Sequence, residues 1–284
     1  MRDFLKLLKV KDYLKNALIL FPFFFSGLFL KFDGNYINIA VGLAAFCFGS
    51  SFVYIINDYM DRDNDRKHPK KCNRPIARGV YSGRFLVITE IILLTAALSL
   101  SYVSGGVQPL IWICIYILLN IGYSLKLKNI PILDVFLLAL FYVLRIYYGA
   151  SILGIQVSIY LYLTVTSVSL LMGINKRKVE KKLNENIRAV LAEYPDTFLS
   201  RLATTFLGVS IVFYSLWVIS ETNTSINSAV LHISIFLVMI ILVLYEYYIE
   251  KTDNGNPIDL VFDKPALLIS MSVYAVLMII GFVL

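Results

Sequence analysis

Residues 57–65 read NDYMDRDND and hold four aspartates, and residues 66–78, RKHPKKCNRPIAR, follow with a train of lysines and arginines. If the apolar run before them continues as helix past Ile56, Asn57, Asp58, Asp61 and Asp65 fall at offsets 0, 1, 4 and 8 and share one face. Asp63 then points elsewhere, toward Arg62 and Arg66. Three carboxylates on one face beside a membrane repel one another unless a cation is held there. Hard oxygen ligands suit Mg2+, which takes one or two carboxylates and completes its shell with water and phosphate oxygens. Lys70, Lys71, Arg74 and Arg78 are donors suited to such phosphates. Pro69 and Pro75 end the helix and stiffen the basic loop. The pattern points to a metal-bridged phosphate ester. A solvated loop would explain the alternating charges but not the helical spacing of the acids.

The elements that position this stretch are membrane spans. Of the 284 residues 58% are hydrophobic and 16% charged, against about 45–50% and about 25% in soluble domains. Nine apolar runs, at 16–30, 37–56, 85–103, 107–122, 132–150, 155–174, 203–220, 229–249 and 265–284, are long enough to cross a bilayer with tilt or a snorkelling end. The sequence thus predicts an all-α, polytopic protein of nine transmembrane helices in one bundle, a single domain over 1–284. The first run has no small-residue cleavage site after it and is expected to be a retained span. With the N-terminus in the cytoplasm, 24 of the 26 Lys and Arg residues fall in the inner regions 1–15, 57–84, 123–131, 175–202 and 250–264. This bias sets the orientation and places the charged loops, and hence any active site, on the cytoplasmic side of the cell membrane. The net charge of +7 is then topology plus anionic ligands or lipids; nothing calls for nucleic acid. Three cysteines and two histidines lie too far apart to form a disulfide framework or a His-based metal site.

Other polar residues stand near the helix ends. Lys126, Lys128, Lys176 and Arg177 fall at cytoplasmic helix ends, where they could meet a lipid phosphate or simply snorkel. Arg145 lies 11 residues beyond Asp134, roughly 16 Å deeper at 1.5 Å per residue. An arginine at that depth must face the bundle interior and find a phosphate, a carboxylate or carbonyls, as a ligand contact or as a purely structural one. Asp134 is either a second metal-side carboxylate or a partner of Lys128. Asp259 and Asp263 precede the last span and suit helix capping. A transporter would need ionisable residues along a path across the membrane, and only Arg145 is that deep.

NDYMDRDND resembles the N-D-x-x-D-x-x-x-D signature of the UbiA superfamily of intramembrane prenyltransferases. The continuation DRKHPKKCNRPIARG is similar to the D-R-x-H-P-x-K-x-x-R-P-I-A-x-G pattern of its decaprenyl-phosphate phosphoribosyltransferase branch. Later segments resemble the same branch: 123–150 through Tyr123, Leu127, Lys128, Asp134 and Arg145; 175–194 through Lys176, Arg177, Glu180, Arg188 and Tyr194; and GNPIDLVFDKPAL at 255–267. Asn175 stands where that branch usually has glycine, and Arg78 where it has a small residue. The resemblance implies transfer of phosphoribosyl from 5-phosphoribosyl 1-diphosphate to a polyprenyl phosphate lipid, with Mg2+ as cofactor. Asp58, Asp61 and Asp65 would be the catalytic, metal-holding residues. Asn57, Lys71, Arg74, Tyr123, Lys128, Asp134, Arg145, Lys176 and Arg177 would bind substrate. A homo-oligomer is compatible with this reading. The alternative within the superfamily is transfer of a prenyl group from its diphosphate to an aromatic acceptor, although such enzymes usually carry a second Asp-rich motif where this chain offers Asp134 alone.

Overall fold

The computed structural model describes residues 2–30, 35–68, 71–183, 190–195, 197–221, 228–252 and 255–283. Lys70, Pro69 and Arg188 of the sequence reading lie outside them. The described residues are 87% helix and contain no strand. The α-helices are α1 (Arg2–Leu7), α2 (Phe21–Phe25), α3 (Asn35–Met60), α4 (Arg62–Lys67), α5 (Gly83–Gly105), α6 (Val107–Leu125), α7 (Leu133–Leu153), α8 (Ile159–Lys182), α9 (Val190–Glu193), α10 (Phe198–Glu221), α11 (Ser228–Glu250), α12 (Pro257–Asp263) and α13 (Pro265–Val283). Among these, α3, α5, α6, α7, α10 and α11 are long and apolar enough to cross a membrane; the pair α12–α13, bent by 98°, makes a seventh if it counts as one span.

Two of the nine expected spans differ. Over 16–30 the chain forms a 3-10 helix at Val10–Leu20, then the short α2 and a further 3-10 turn at Leu28–Leu30. Pro22 opens α2 without an N–H to donate, and Gly27 at φ 70° turns the chain again, so no continuous helix runs through. The run at 155–174 becomes α8, which carries Asn175, Lys176 and Arg177 onward in the same helix and is not among the six. The last run is α13, preceded by α12, whose N-cap Asn256 accepts from Ile258 N and donates to Asp259. Asp259 thus belongs to a capping arrangement, as its position suggested.

The described chain forms two compact units: Met1–Ile130 with Phe141–Val157, and Pro131–Leu140 with Ser158–Leu284. In the first, α3 packs along α5 and α6. Close approach is helped by Gly49, where a Cβ would sit 3.1 Å from Ile113 Cδ1 of α6 and 3.6 Å from Ala97 Cβ of α5. Ser82 caps α5 by accepting from Phe85 N, and Gly106 at φ 77° turns α5 directly into α6. The 3-10 segment lies against α7 at Gly149, where a Cβ would come 2.0 Å from Ile19 O. In the second unit, α8 packs on α10 and α11 on α13. Its core gathers Val135, Leu171, Ile174, Tyr194, Ala203, Tyr245 and Leu260.

Candidate active site

In the first unit the backbone stays helical across the aspartates, but not as one helix. Asp61 N donates to Asn57 O and Asp65 N to Asp61 O, while Asp61 itself, at φ −87° and ψ 0°, ends α3 and starts α4. This break splits the expected single acidic face. Asp58 and Asp65 are buried, and an oxygen of each lies 2.8 Å from the same Arg74 nitrogen, Nη1. Asp61 turns to the Lys128 ammonium. Asp63 is exposed and pairs with Arg62 and Arg66, the direction its spacing predicts. Asn57 Oδ1 accepts from Ser124 Oγ at 3.2 Å.

Arg74 is aimed by the loop behind it. Arg74 N donates to Lys71 O and Arg78 N to Arg74 O, and Gly79 at φ 72° completes the turn. His68, buried at the end of α4, accepts from Lys71 N through Nδ1 at 3.2 Å. Lys128 sits in the 3-10 turn Leu127–Asn129 that ends α6, close to buried Tyr123, whose ring meets Phe141 edge-on at 5.7 Å. Asp58 has a second cation: Lys9 Nζ lies 2.7 Å from its Oδ1.

Arg145 is buried in the same unit. Its Nε donates to Asn16 Oδ1 at 2.9 Å, Nη1 to Phe141 O at 2.6 Å and Nη2 to the Tyr116 hydroxyl at 3.3 Å. The rings of Phe46, Tyr116 and Tyr142 surround the guanidinium at 5.2–5.6 Å. Neutral acceptors and π faces of the protein surround this charge.

In the second unit Asp134 and Arg177 form an ion pair whose side chains are both 0% exposed, with Arg177 Nε 2.6 Å from Asp134 Oδ2. Arg177 Nη1 also meets Glu180, and the Tyr194 hydroxyl donates to Asp134 Oδ1 at 2.7 Å. That same hydroxyl accepts from Ile132 N, which pins a non-glycine turn at φ 69°. Burial pushes the Tyr194 hydroxyl pKa up, and its bond to the Asp134 carboxylate adds to the shift. Asp134 therefore joins Arg177 rather than Lys128. Lys176, half-buried on α8, packs its backbone against Gly255, where a Cβ would stand 3.3 Å from Lys176 Cα.

The UbiA prenyltransferase family profile matches residues 19–262. The chain belongs to that family. It is 30% identical over 260 residues to the decaprenyl-phosphate phosphoribosyltransferase of Corynebacterium glutamicum, covering 89% of this chain and 78% of that one. It is 29% identical over 228 residues to the enzyme of the same name from Mycolicibacterium smegmatis, covering 78% and 71%. In fold it is similar to a UbiA homologue from Archaeoglobus fulgidus bound to GPP and Mg2+, with TM-score 0.75 at 19% identity over 99% of this chain and 98% of that one. This UbiA family member is a multi-pass membrane protein and a transferase.

The donor set of this UbiA chain fits a hard divalent cation in part. Asp58 and Asp65 come from separate helices and converge on one cationic point with oxygen ligands alone, the chemistry Mg2+ prefers. Among the described residues no group of three or more His, Cys, Asp and Glu side chains is placed to hold a metal, because the break at Asp61 sends that carboxylate to Lys128. Sequence reasoning missed Lys9, His68 and Asn16. Lys9 and Asn16 carry no local signal: Lys9 is one of five basic residues in the segment 1–15, and Asn16 is a lone amide at the start of an apolar run. His68 stands inside the quoted motif but reveals its loop-bracing role only through its bond to Lys71 N.

Proposed function

We propose that the protein transfers the 5-phosphoribosyl group from 5-phosphoribosyl 1-diphosphate to a polyprenyl phosphate at the cytoplasmic side of the cell membrane. The products would be polyprenyl-phospho-ribose 5-phosphate and diphosphate. One observation carries the reading: buried Asp58 and Asp65 converge on Arg74 inside the motif shared with the phosphoribosyltransferase branch. The similarity to two enzymes of that name supports it.

In this reading a lipid phosphate oxygen forms the new bond to ribose C1 as the C1–oxygen bond to diphosphate breaks. The nucleophile is already an anion, so no strong general base is needed, and positioning with electrostatics carries the catalysis. Asp58 and Asp65 would hold Mg2+, with Asp61 nearby. When bound, Mg2+ neutralises the charge that builds on the departing diphosphate. Arg74, Lys71 and Lys128 would bind phosphate oxygens. Asn57, anchored by Ser124, would orient a carboxylate or meet a ribose hydroxyl. Tyr123 would wall the same site. Arg145, Asp134 and Arg177 contribute by holding their helices, since the charged ends of all three are committed to protein partners. Prenyl transfer to an aromatic acceptor is less favoured: its second acidic site would have to use Asp134, which is locked to Arg177.

The test is label transfer from labelled phosphoribosyl diphosphate into an organic-extractable lipid, with purified protein, a polyprenyl phosphate and Mg2+. Asp58→Asn and Asp61→Asn should stay folded and lose most turnover, and chelation should abolish transfer until Mg2+ is restored. Near-normal rates in both variants would remove the role given to the aspartates. Prenylation of an aromatic acid in place of label transfer would move the chain to the aromatic branch.

A further inference from the structure

The N-terminal segment is aimed at the acidic site. Ser51, Tyr54 and Asp58 stand at offsets 0, 3 and 7 on α3 and so form one stripe of that helix. All three meet the same piece of chain. Ser51 Oγ donates to Leu8 O at 2.8 Å and also bonds the Tyr13 hydroxyl at 2.6 Å. The Lys9 ammonium lies 5.1 Å from the centre of the Tyr54 ring and 2.7 Å from Asp58 Oδ1. Lys9 itself has φ 52° and ψ 45°, a left-handed conformation that costs a lysine energy and that the surrounding contacts must hold. Leu7, buried beside it, anchors the preceding turn.

Charge matching says what this lysine is for. Asp58 and Asp65 are balanced by Lys9 and Arg74, and Asp61 by Lys128. A divalent cation taken up by Asp58 and Asp65 competes with Lys9 and Arg74 for the same oxygens. It also leaves the site with surplus positive charge, which only an anionic ligand can balance at a place so poorly reached by water. Anchored through Leu8 and Tyr13, Lys9 cannot retreat far, so its ammonium must bond the anion that arrives. We propose that Lys9 is a diphosphate-binding residue that exchanges Asp58 for diphosphate oxygens when a divalent cation binds. The proposal rests on the reading of the aspartates as a cation and diphosphate site, whichever group is transferred.

The exchange predicts two changes of opposite sign, which a purely structural lysine would not produce. The probes are Mn2+ and inorganic diphosphate, titrated into the purified full-length chain by following free Mn2+ and by calorimetry. Lys9→Met keeps the stem without the charge, and Lys9→Asn suits the left-handed backbone. Both should bind Mn2+ about twofold to fivefold more tightly than wild type, the size expected for loss of a competing, partly exposed ion pair. Both should bind diphosphate in the presence of Mn2+ about tenfold more weakly. Lys9→Arg should restore both affinities, and Lys11→Met, two residues along, should change neither. Unchanged Mn2+ affinity, or loss of both affinities together, overturns the proposal, as does an equal effect at Lys11. If the Lys9 shifts appear but wild type transfers no phosphoribosyl label, the proposed donor is wrong and the Lys9 assignment stands. If label is transferred and the shifts are absent, only the Lys9 assignment falls.

Discussion

Replacing Asp134 by alanine separates a structural carboxylate from a chemical one. The Asp134 and Arg177 side chains are both fully buried, and the pair closes at 2.6 Å. Removing one member of such a pair strands the other charge and typically costs about 3–5 kcal/mol. Two features move the value within that range. Glu180, with its side chain 20% exposed, remains on Arg177 and softens the loss. The Tyr194 hydroxyl loses its acceptor, and a buried donor left unpaired costs about 1–3 kcal/mol on its own. These terms share one network and do not add, so about 4 kcal/mol is the expected loss. The assay is reversible denaturant unfolding in detergent micelles, with midpoint and slope compared to wild type. A companion variant, Asp134→Leu with Arg177→Met, should recover more than half of the loss, because an apolar pair of similar volume has no stranded charge and Glu180 can reach water. An Asp134→Ala protein that unfolds within about 0.5 kcal/mol of wild type yet has no turnover would refute the reasoning and return Asp134 to the chemistry.

Tyr194 extends the same network to pH. Its raised pKa means the folded state keeps its proton longer than the unfolded chain, so its contribution is intact below about pH 10 and declines as pH rises beyond that. Alkaline unfolding should therefore be steeper in wild type than in Tyr194→Phe, which starts from lower stability; equal slopes would exclude the effect. Arg145→Met should cost about 2–3 kcal/mol by removing a charged donor from Asn16 Oδ1, which keeps only Ser50 Oγ at 3.4 Å, with little change in the donor's KM. A rise in KM at normal stability would instead put Arg145 at the substrate. Gly149→Ala would drive a Cβ to 2.0 Å from Ile19 O, backbone against backbone, and should destabilise by about 1–3 kcal/mol in a thermal melt; an unchanged melt would mean that the 3-10 segment does not bear on α7.

Much of this protein is readable from composition and spacing. Long apolar runs force helices, because a backbone in hydrocarbon must satisfy its own hydrogen bonds. The offsets of Asp58, Asp61 and Asp65 mark an acidic cluster, and the basic residues after them are the ground for the phosphate chemistry proposed for it. That Asp63 would turn away toward Arg62 and Arg66 also follows from the helical period alone. All these signals are local: each depends on residues within a few turns of one another.

What needed the tertiary structure is every pairing between distant segments. Spacing puts three carboxylates on one face, but the break at Asp61 and the arrival of Lys128 divide them, and Lys128 is 67 residues away. Lys9 reaches Asp58 across 49 residues, and Asn16 reaches Arg145 across 129. Asp134 could have paired with Lys128, near it in sequence; it lies against Arg177 because α7 begins beside α8 in the core they share with Tyr194. Helical period and hydrophobicity act through neighbours along the chain and so appear in the sequence. The choice of partner for a buried charge depends on which segments the fold brings within about 3 Å of it, and no local pattern records that.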